Sequence, residues 1–171
     1  MKCDVLVVGA GAAGSVSALA LAQRNLDVVV LEKGKKVGAS VSERIDITEN
    51  IGLEGIIKEL NLPIKEKTNK TKWFSPNLNI FLKSDVYDFL FKRGSSKDSF
   101  EVINMTRAQE KGVKLVAGVK INKINLNGST IKSIDFTDRN KLSSIQPKLI
   151  IAADGAESII LKKYSRQLKI K

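Results

Sequence analysis

The feature that most constrains the fold is a glycine-rich turn between an apolar run and a helix-forming segment. The turn, Gly9 to Gly14, reads GAGAAG and fits the pattern G-x-G-x-x-G. It follows a short valine-rich run, Val5 to Val8, and the residues from Ala12 to Arg24 have helix-forming composition. A second apolar run over 28–31 ends at Glu32. Strand, turn, helix and strand within about thirty residues indicate one βαβ unit.

Each glycine of this turn has a separate physical role. Gly9 allows the tight turn out of the strand, and Gly11 has no side chain to hold a pyrophosphate away from the backbone. Gly14 lets the helix pack close to the strand. Free backbone N–H groups of the first helical turn, including Ala12 and Ala13, would meet the phosphates at the positive end of the helix dipole. The turn therefore predicts a phosphate-binding site.

An acidic residue follows at the spacing that a dinucleotide site requires. Glu32 lies eighteen residues after Gly14, at the end of the second predicted strand. Its carboxylate is placed to accept hydrogen bonds from a ribose, and its charge would repel a 2′-phosphate. The sequence therefore predicts dinucleotide binding. The alternative is a glycine-rich turn in a doubly wound domain that binds no ligand.

Composition excludes several other kinds of site. The chain has no histidine and one cysteine, which removes Ser-His-Asp catalysis, His-ligated metals and any intramolecular disulfide. We predict no metal site. The formal net charge of +11 is compatible with a polyanion or an anionic membrane as a binding partner. No nucleic-acid-binding motif accompanies this charge, so we predict no nucleic-acid partner.

An uncharged stretch from Val5 to Gln23 resembles a membrane span or a signal peptide in length. It is rich in glycine, alanine and serine, and Asp4 precedes it. Both observations favour a buried strand and helix instead.

The rest of the chain alternates helical and extended patterns. The sequence predicts a polar loop over 33–50, a helix over 53–60, a basic surface segment over 65–72, a strand over 79–83, a helix over 97–111 and a buried strand over 113–117. Two alternating runs, 120–126 and 130–136, are joined by Asn127-Gly128, a strong hairpin signal. A third meander strand over 142–146 and a separate core strand over 149–152 follow.

A β-meander inserted before a terminal strand resembles FAD domains of the glutathione-reductase-like class. Several segments make this resemblance more specific. Together they resemble the archaeal geranylgeranyl reductase family, which is related to FAD-dependent aromatic hydroxylases. These segments are GAGAAG, Glu32-Lys33-Gly34, Val37-Gly38, Lys92-Arg93-Gly94, Asp98-Ser99-Phe100-Glu101 and Ala153-Asp154-Gly155-Ala156-Glu157-Ser158. The implied fold is α/β, a Rossmann-like FAD/NAD(P)-binding domain over residues 1–171. It has a parallel sheet, helices on one face and an antiparallel β-meander on the other.

The resemblance also implies which residues bind FAD. The three turn glycines would hold the pyrophosphate, Glu32 the adenosine ribose, and Lys33 would flank the adenine. Arg93 would reach the phosphates or ribityl chain, and Asp154 with Gly155 would close over that region. The full set of candidates is Gly9, Gly11, Ala12, Ala13, Gly14, Glu32, Lys33, Gly38, Arg93, Ala117, Asp154 and Gly155. For Arg93 the alternative is a surface arginine, and for Asp154 a simple turn or helix cap.

By the same resemblance, the function is reduction of isoprenoid double bonds by hydride from reduced flavin, which carries the chemistry. No catalytic residue is assigned. Only sixteen residues follow Gly155, so we expect an incomplete protein whose substrate domain is absent and whose isoprenoid substrate needs a second chain or domain. The alternatives are a non-catalytic or vestigial binding domain and a fragment of an FAD-dependent monooxygenase. A dehydrogenase that uses NAD alone is disfavoured by the meander.

Two further features concern location and surface. Five cations lie in the last ten residues. We favour the interpretation that they form a solvated helix face, and the alternative is that they contact anionic lipid headgroups. We expect a cytoplasmic protein with at most peripheral membrane contact. Trp73-Phe74 is interpreted as core packing, with a position beside a substrate tunnel as the alternative.

Overall fold

The computed structural model describes residues 1–49, 52–128 and 130–164. Its strands are β1 (Lys2–Val8), β2 (Val28–Glu32), β3 (Arg44–Thr48), β4 (Glu66–Ser75), β5 (Leu78–Arg93), β6 (Lys114–Ala117), β7 (Lys120–Asn127), β8 (Thr130–Asp138) and β9 (Lys141–Ala152). Its helices are α1 (Ala12–Ala22), α2 (Leu53–Leu60), α3 (Phe100–Glu110) and α4 (Ile159–Tyr164). Of the five terminal cations, Arg166, Lys169 and Lys171 lie outside the described residues.

The larger sheet has the strand order β6-β2-β1-β9-β8-β7. Its first four strands run parallel, and Val5 of β1 lies opposite both Val28 of β2 and Leu149 of β9. Strand β1 is thus flanked on both sides by parallel neighbours, which suits its continuous apolar run.

The two faces of β1 bury different layers. Val5 and Val7 pack with Leu19 of α1 and Met105 of α3 on one face. The alternate residues of β1 pack against the antiparallel meander on the other face, in a cluster that includes Leu6, Val8, Ile134, Phe136 and Ile145. Helices on one face and the meander on the other confirm the predicted α/β fold class.

One strand joins the parallel sheet to the meander. The first half of β9 runs antiparallel to β8, with Ile145 opposite Ile134. The second half runs parallel to β1, and Gln146 lies opposite Lys2. The prediction of two separate strands, over 142–146 and 149–152, is therefore wrong. Pro147 lacks an N–H and marks a break in the pattern, but the strand continues through it because its two halves pair with different neighbours.

The smaller sheet has the order β3-β5-β4 and was largely missed by the sequence patterns. The predicted loop over 33–50 contains β3, and the predicted basic segment over 65–72 lies mostly in β4. Both strands are mainly exposed, so neither carries the buried run that marks a core strand. Trp73 is 62% exposed and Phe74 is 70% exposed. Their interpretation as core packing is wrong.

The helices follow the predictions closely. Helix α2 has the predicted bounds, and α3 begins at Phe100 rather than at residue 97. The start is later because the Ser99 N–H donates to the Ser96 carbonyl (3.0 Å) and the Ser99 hydroxyl donates to the Gly94 carbonyl (2.7 Å), which holds the preceding residues in a turn. Among the described residues, no helix is long and apolar enough to cross a membrane.

Candidate functional site

A cavity of about 710 Å³ lies at the carboxyl ends of β1, β2 and β9. Ligands of open α/β sheets bind at this edge. The structure brings nine of the twelve candidate residues to the cavity wall, namely Gly9, Gly11, Ala12, Ala13, Glu32, Lys33, Arg93, Asp154 and Gly155. Gly14, Gly38 and Ala117 do not line it.

The outer glycines of the turn are fixed by close backbone contacts. A Cβ at Gly14 would lie 1.9 Å from the carbonyl oxygen of Gly9. A Cβ at Gly9, where φ is +99°, would lie 2.4 Å from the carbonyl oxygen of Ala153. Gly14 therefore packs the helix against the turn, which is the role that the sequence assigned to it.

The middle glycine has a different environment. A Cβ at Gly11 would meet no atom of the described residues within 4 Å, so they leave the space in front of it open. Gly11 is also the N-cap of α1, which has no side-chain cap and no acidic residue in its first turn. The first-turn N–H groups lack intrahelical partners and carry the positive end of the helix dipole. This end of the cavity therefore suits an anion.

Glu32 connects the glycine turn to the loop after β2. Its Oε2 accepts a hydrogen bond from the Ala10 N–H (2.6 Å), and its Oε1 accepts one from the Gly34 N–H (2.6 Å). The residue is buried but its side chain contributes to the cavity wall. Each carboxylate oxygen has a second lone pair, so capacity remains for sugar hydroxyls. The sequence suggested the ribose role and gave no sign of the backbone bridge.

Arg93 is held by two acidic side chains. Its Nη1 donates to Asp46 Oδ2 at 2.9 Å, and its Nε donates to Glu101 Oε1. The Arg93 side chain is only 19% exposed, so it is not a surface arginine. Glu101 is fully buried, and within the described chain its Oε2 has no hydrogen-bond partner. The sequence pointed to Arg93 but not to its two anchors.

The network extends to a second arginine. Arg44 Nε donates to Asp46 Oδ1 at 2.6 Å. This hydrogen bond, together with the charges of Arg44 and Arg93, holds the pKa of Asp46 below its ordinary value. Asp46 therefore remains ionised between its two cations at neutral pH.

Asp154 combines a structural contact with a free acceptor. Its Oδ2 accepts a hydrogen bond from the Ile159 N–H at 2.8 Å, at the start of α4. Its Oδ1 is buried and has no partner within the described chain. Asp154 thus holds the turn before α4, as the helix-cap alternative expected, and also lines the cavity.

Two candidates lie behind the wall rather than in it. Gly38, with φ at +74°, packs so closely on Gly94 that a Cβ would lie 1.9 Å from its carbonyl oxygen. Ala117 ends β6 opposite Glu32. Their neighbours line the cavity instead: Ser40, Val41, Val119, Lys120 and Ile121. The position of 119–121, just after a parallel strand, was a signal that could have identified them.

The loop that carries Ser40 and Val41 is anchored by Glu43. The Glu43 carboxylate accepts hydrogen bonds from the Ser95 N–H (2.7 Å), the Ser96 N–H (2.9 Å) and the Ser96 hydroxyl (2.8 Å). The bond from the Ser96 hydroxyl, supported by the two N–H groups, keeps the pKa of Glu43 below its ordinary value. The loops before β3 and after β5 are therefore fixed to each other.

A second cavity, of about 690 Å³, lies between α1, α2, β3 and β5. It shares Ala12, Ala13 and Arg93 with the first cavity. Its remaining wall is mainly apolar and includes Val16, Ile45, Ile47, Leu53, Ile57, Leu62, Phe91 and Phe100. Among the described residues, no cluster of acidic and cysteine side chains could hold a metal ion.

Comparisons with known proteins agree with this geometry. The profile of the family described as FAD dependent oxidoreductase matches residues 4–157. Digeranylgeranylglycerophospholipid reductase 1 of Methanococcoides burtonii is 28% identical over 160 residues, which are 91% of this chain and 38% of that protein.

Solved structures show the same fold. A geranylgeranyl bacteriochlorophyll reductase-like protein of Thermoplasma acidophilum superposes with a TM-score of 0.73 at 22% identity, covering 99% of this chain and 42% of its own. A probable FAD-dependent monooxygenase of Pseudomonas aeruginosa superposes with a TM-score of 0.74 at 16% identity. The match covers 100% of this chain and 46% of the monooxygenase. The chain spans less than half the length of each of these three proteins.

Proposed function

Because the chain belongs to the FAD dependent oxidoreductase family, with FAD as its cofactor, we propose that it provides the cofactor-binding part of a reductase that acts on isoprenoid lipids. The observation that carries the proposal is the space that the described residues leave open in front of Gly11, inside a cavity that also presents Glu32 and the Oδ1 of Asp154, which has no partner among them. An anionic pyrophosphate and a ribose need this combination of free N–H groups and acceptors.

The residues present fit FAD in the following roles. The first-turn N–H groups of α1 would bind the pyrophosphate, and Glu32 would accept from the adenosine ribose with its remaining lone pairs. Asp154 Oδ1 would accept from a hydroxyl of the ribityl region. Arg93, which Asp46 and Glu101 hold in place, would supply positive charge on its side of the cavity. Bound flavin would supply the hydride chemistry, and these residues would bind and orient it.

The substrate class comes from the relatives and from the second cavity. The Methanococcoides burtonii relative is named as a reductase of a digeranylgeranylglycerophospholipid. The apolar wall of the second cavity, which meets the first at Ala12, Ala13 and Arg93, supports an apolar ligand beside the cofactor. We therefore favour an isoprenoid chain as the hydride acceptor.

Cofactor titration tests the binding role. We expect the purified chain to retain yellow flavin or to bind added FAD, with about 4 kcal/mol of stabilisation at a thousandfold excess over Kd. FMN, which lacks the adenosine, should bind much more weakly. The variant G11A should lose FAD affinity without losing stability. A colourless protein that FAD does not stabilise would show that the assignment is wrong.

A second candidate is a binding domain with no turnover of its own, completed by another polypeptide. The chain spans 38% of the length of the Methanococcoides burtonii relative, so the activity of that whole protein is a proposal for this chain. Anaerobic single-turnover assays separate the two candidates. Reduced FAD on this chain is mixed with a geranylgeranyl lipid, with and without a second polypeptide that supplies the remaining length of the Methanococcoides burtonii relative. Oxidation of the flavin by the lipid with this chain alone would exclude the second candidate.

The monooxygenase alternative is tested by the same assay in air. Consumption of oxygen coupled to hydroxylation of an aromatic acceptor would favour it over lipid reduction.

A further inference from the structure

The end of the β4–β5 hairpin exposes large apolar side chains on both of its faces. We call residues 70–83 the hairpin tip. Phe74, Phe81, Trp73 and Leu78 are 70%, 68%, 62% and 59% exposed. Trp73 lies opposite Ile80, and Lys72 lies opposite Phe81. Paired residues share a face of the ribbon and alternate residues point to opposite faces, so Trp73 and Phe74 project to opposite sides.

Cations follow directly behind these apolar residues. Lys70 lies opposite Lys83, two positions farther from the turn than the pair of Lys72 and Phe81. Lys72 places its Nζ 4.4 Å from the ring centroid of Phe74 and 4.3 Å from that of Phe81. The segment 67–83 contains no aspartate or glutamate. The hairpin tip thus has an uncharged end, and its three lysines lie on the face that carries Phe74 and Phe81.

This arrangement distinguishes a lipid surface from a protein partner. A protein docked on a sheet covers one face of it, and the opposite face is then typically polar. Here large apolar side chains project from each face of the end, Trp73, Leu78 and Ile80 on one and Phe74 and Phe81 on the other, which suits insertion end-on. Tryptophan prefers the membrane interface, and lysines keep their charged heads in water while their stems lie along apolar surface. An anionic headgroup layer is complementary to these lysines, which lie in a segment without acidic residues.

We propose that the hairpin tip inserts into the surface of an anionic lipid membrane, with Trp73, Phe74, Leu78 and Phe81 in the interface and Lys70, Lys72 and Lys83 at the headgroups. This site is independent of the cofactor cavity. It binds lipid whether or not FAD is bound.

Trp73 is the only tryptophan of the chain, so its fluorescence reports on the hairpin tip without labelling. We expect vesicles that contain phosphatidylglycerol to shift its emission to the blue, and brominated lipids to quench it. Vesicles of phosphatidylcholine alone should have a much weaker effect, and added salt should reverse the binding. Co-sedimentation with the same vesicles gives the affinity.

Variants locate the binding. K70Q/K72Q/K83Q should weaken binding to anionic vesicles by about 100-fold, or about fivefold per lysine. F74S/F81S, which keeps Trp73, should weaken it by at least about tenfold. The matched control K111Q/K114Q/K132Q removes three exposed lysines elsewhere and should have little effect. All the substituted side chains are exposed, and thermal melting checks that each variant remains folded.

Several results would overturn the proposal. One is unchanged Trp73 emission in the presence of anionic vesicles. Another is equal loss of binding in the control triple variant, which would show a diffuse effect of net charge. A blue shift that grows with protein concentration in the absence of vesicles would show that a second copy of the chain covers the hairpin tip instead.

Discussion

The parallel sheet and the hairpin tip are both rich in large apolar side chains, yet they place them in opposite environments. Leu6 and Val7 of β1 are fully buried, whereas Phe74 and Phe81 are about two-thirds exposed. The sheet has a layer on each face, the helices on one side and the meander on the other. Within the described part of the chain, the hairpin tip has no covering layer on either face. Apolar composition therefore predicts burial only where the topology supplies a covering layer.

The largest difference should appear when the same side chain is truncated in both regions. Leu6→Ala removes a fully buried side chain and should lower the free energy of unfolding by about 2–5 kcal/mol. Leu78→Ala acts on a side chain that is 59% exposed and should change it by no more than about 0.5 kcal/mol. Urea denaturation measures both. Equal losses would show that the hairpin tip is packed against something in solution.

A smaller effect is expected within the glycine turn, where packing and binding positions lie side by side. Gly14→Ala places a Cβ 1.9 Å from the Gly9 carbonyl oxygen and should cost about 3 kcal/mol of stability. Gly11→Ala places a Cβ that meets no atom within 4 Å in the described part of the chain, and it should change the free energy of unfolding by no more than about 0.5 kcal/mol. Thermal melting without cofactor tests the pair. A strongly destabilised Gly11→Ala protein would remove the distinction between the two glycines.

The smallest effect concerns acid sensitivity at the base of the smaller sheet. The pKa values of Glu43 and Asp46 are lowered in the folded protein, by the Ser96 hydroxyl and by Arg44 respectively. A carboxylate whose pKa is lowered in the folded state stabilises the folded protein at pH values above its ordinary pKa of about 4. This stabilisation is lost as the pH falls through the lowered pKa of the folded state. We expect the protection factors of the β3 amides, measured by hydrogen exchange relative to the intrinsic rate at each pH, to fall on acidification before those of β1 do.

The double variant Glu43→Gln/Asp46→Asn should remove most of this pH dependence. If β1 and β3 lose protection together in the wild-type protein, the two sheets unfold as one unit and these carboxylates are not the cause.

The parts of the fold that the sequence predicted are those with local signals. The βαβ unit, the helix over 53–60 and the hairpin at Asn127-Gly128 depend on residues near each other in the chain. Strands β3 and β4 were missed because they lie in a sheet that is mostly exposed and carry no buried run. The continuity of β9 depends on a change of partner that no local pattern records.

The candidate site divides in the same way. The turn glycines, Glu32 and Asp154 follow motifs whose spacing reflects local geometry. The anchoring of Arg93 by Asp46 spans 47 positions, and the contact of Gly38 with Gly94 likewise joins distant loops. Such contacts arise only after the two sheets have formed, so residue spacing along one sequence does not reveal them.

The placement of β9 sets an order of events during synthesis. Strand β1 emerges from the ribosome before the other described strands, but one of its two neighbours is β9, which pairs Lys2 with Gln146. More than a hundred further residues must therefore be synthesised after the glycine turn before Ala153 and Asp154 can complete its side of the cavity. Pairing over such separations is slow. A nascent chain must keep its first strand from aggregating through that interval, and the cofactor can engage its complete site only at the end of it.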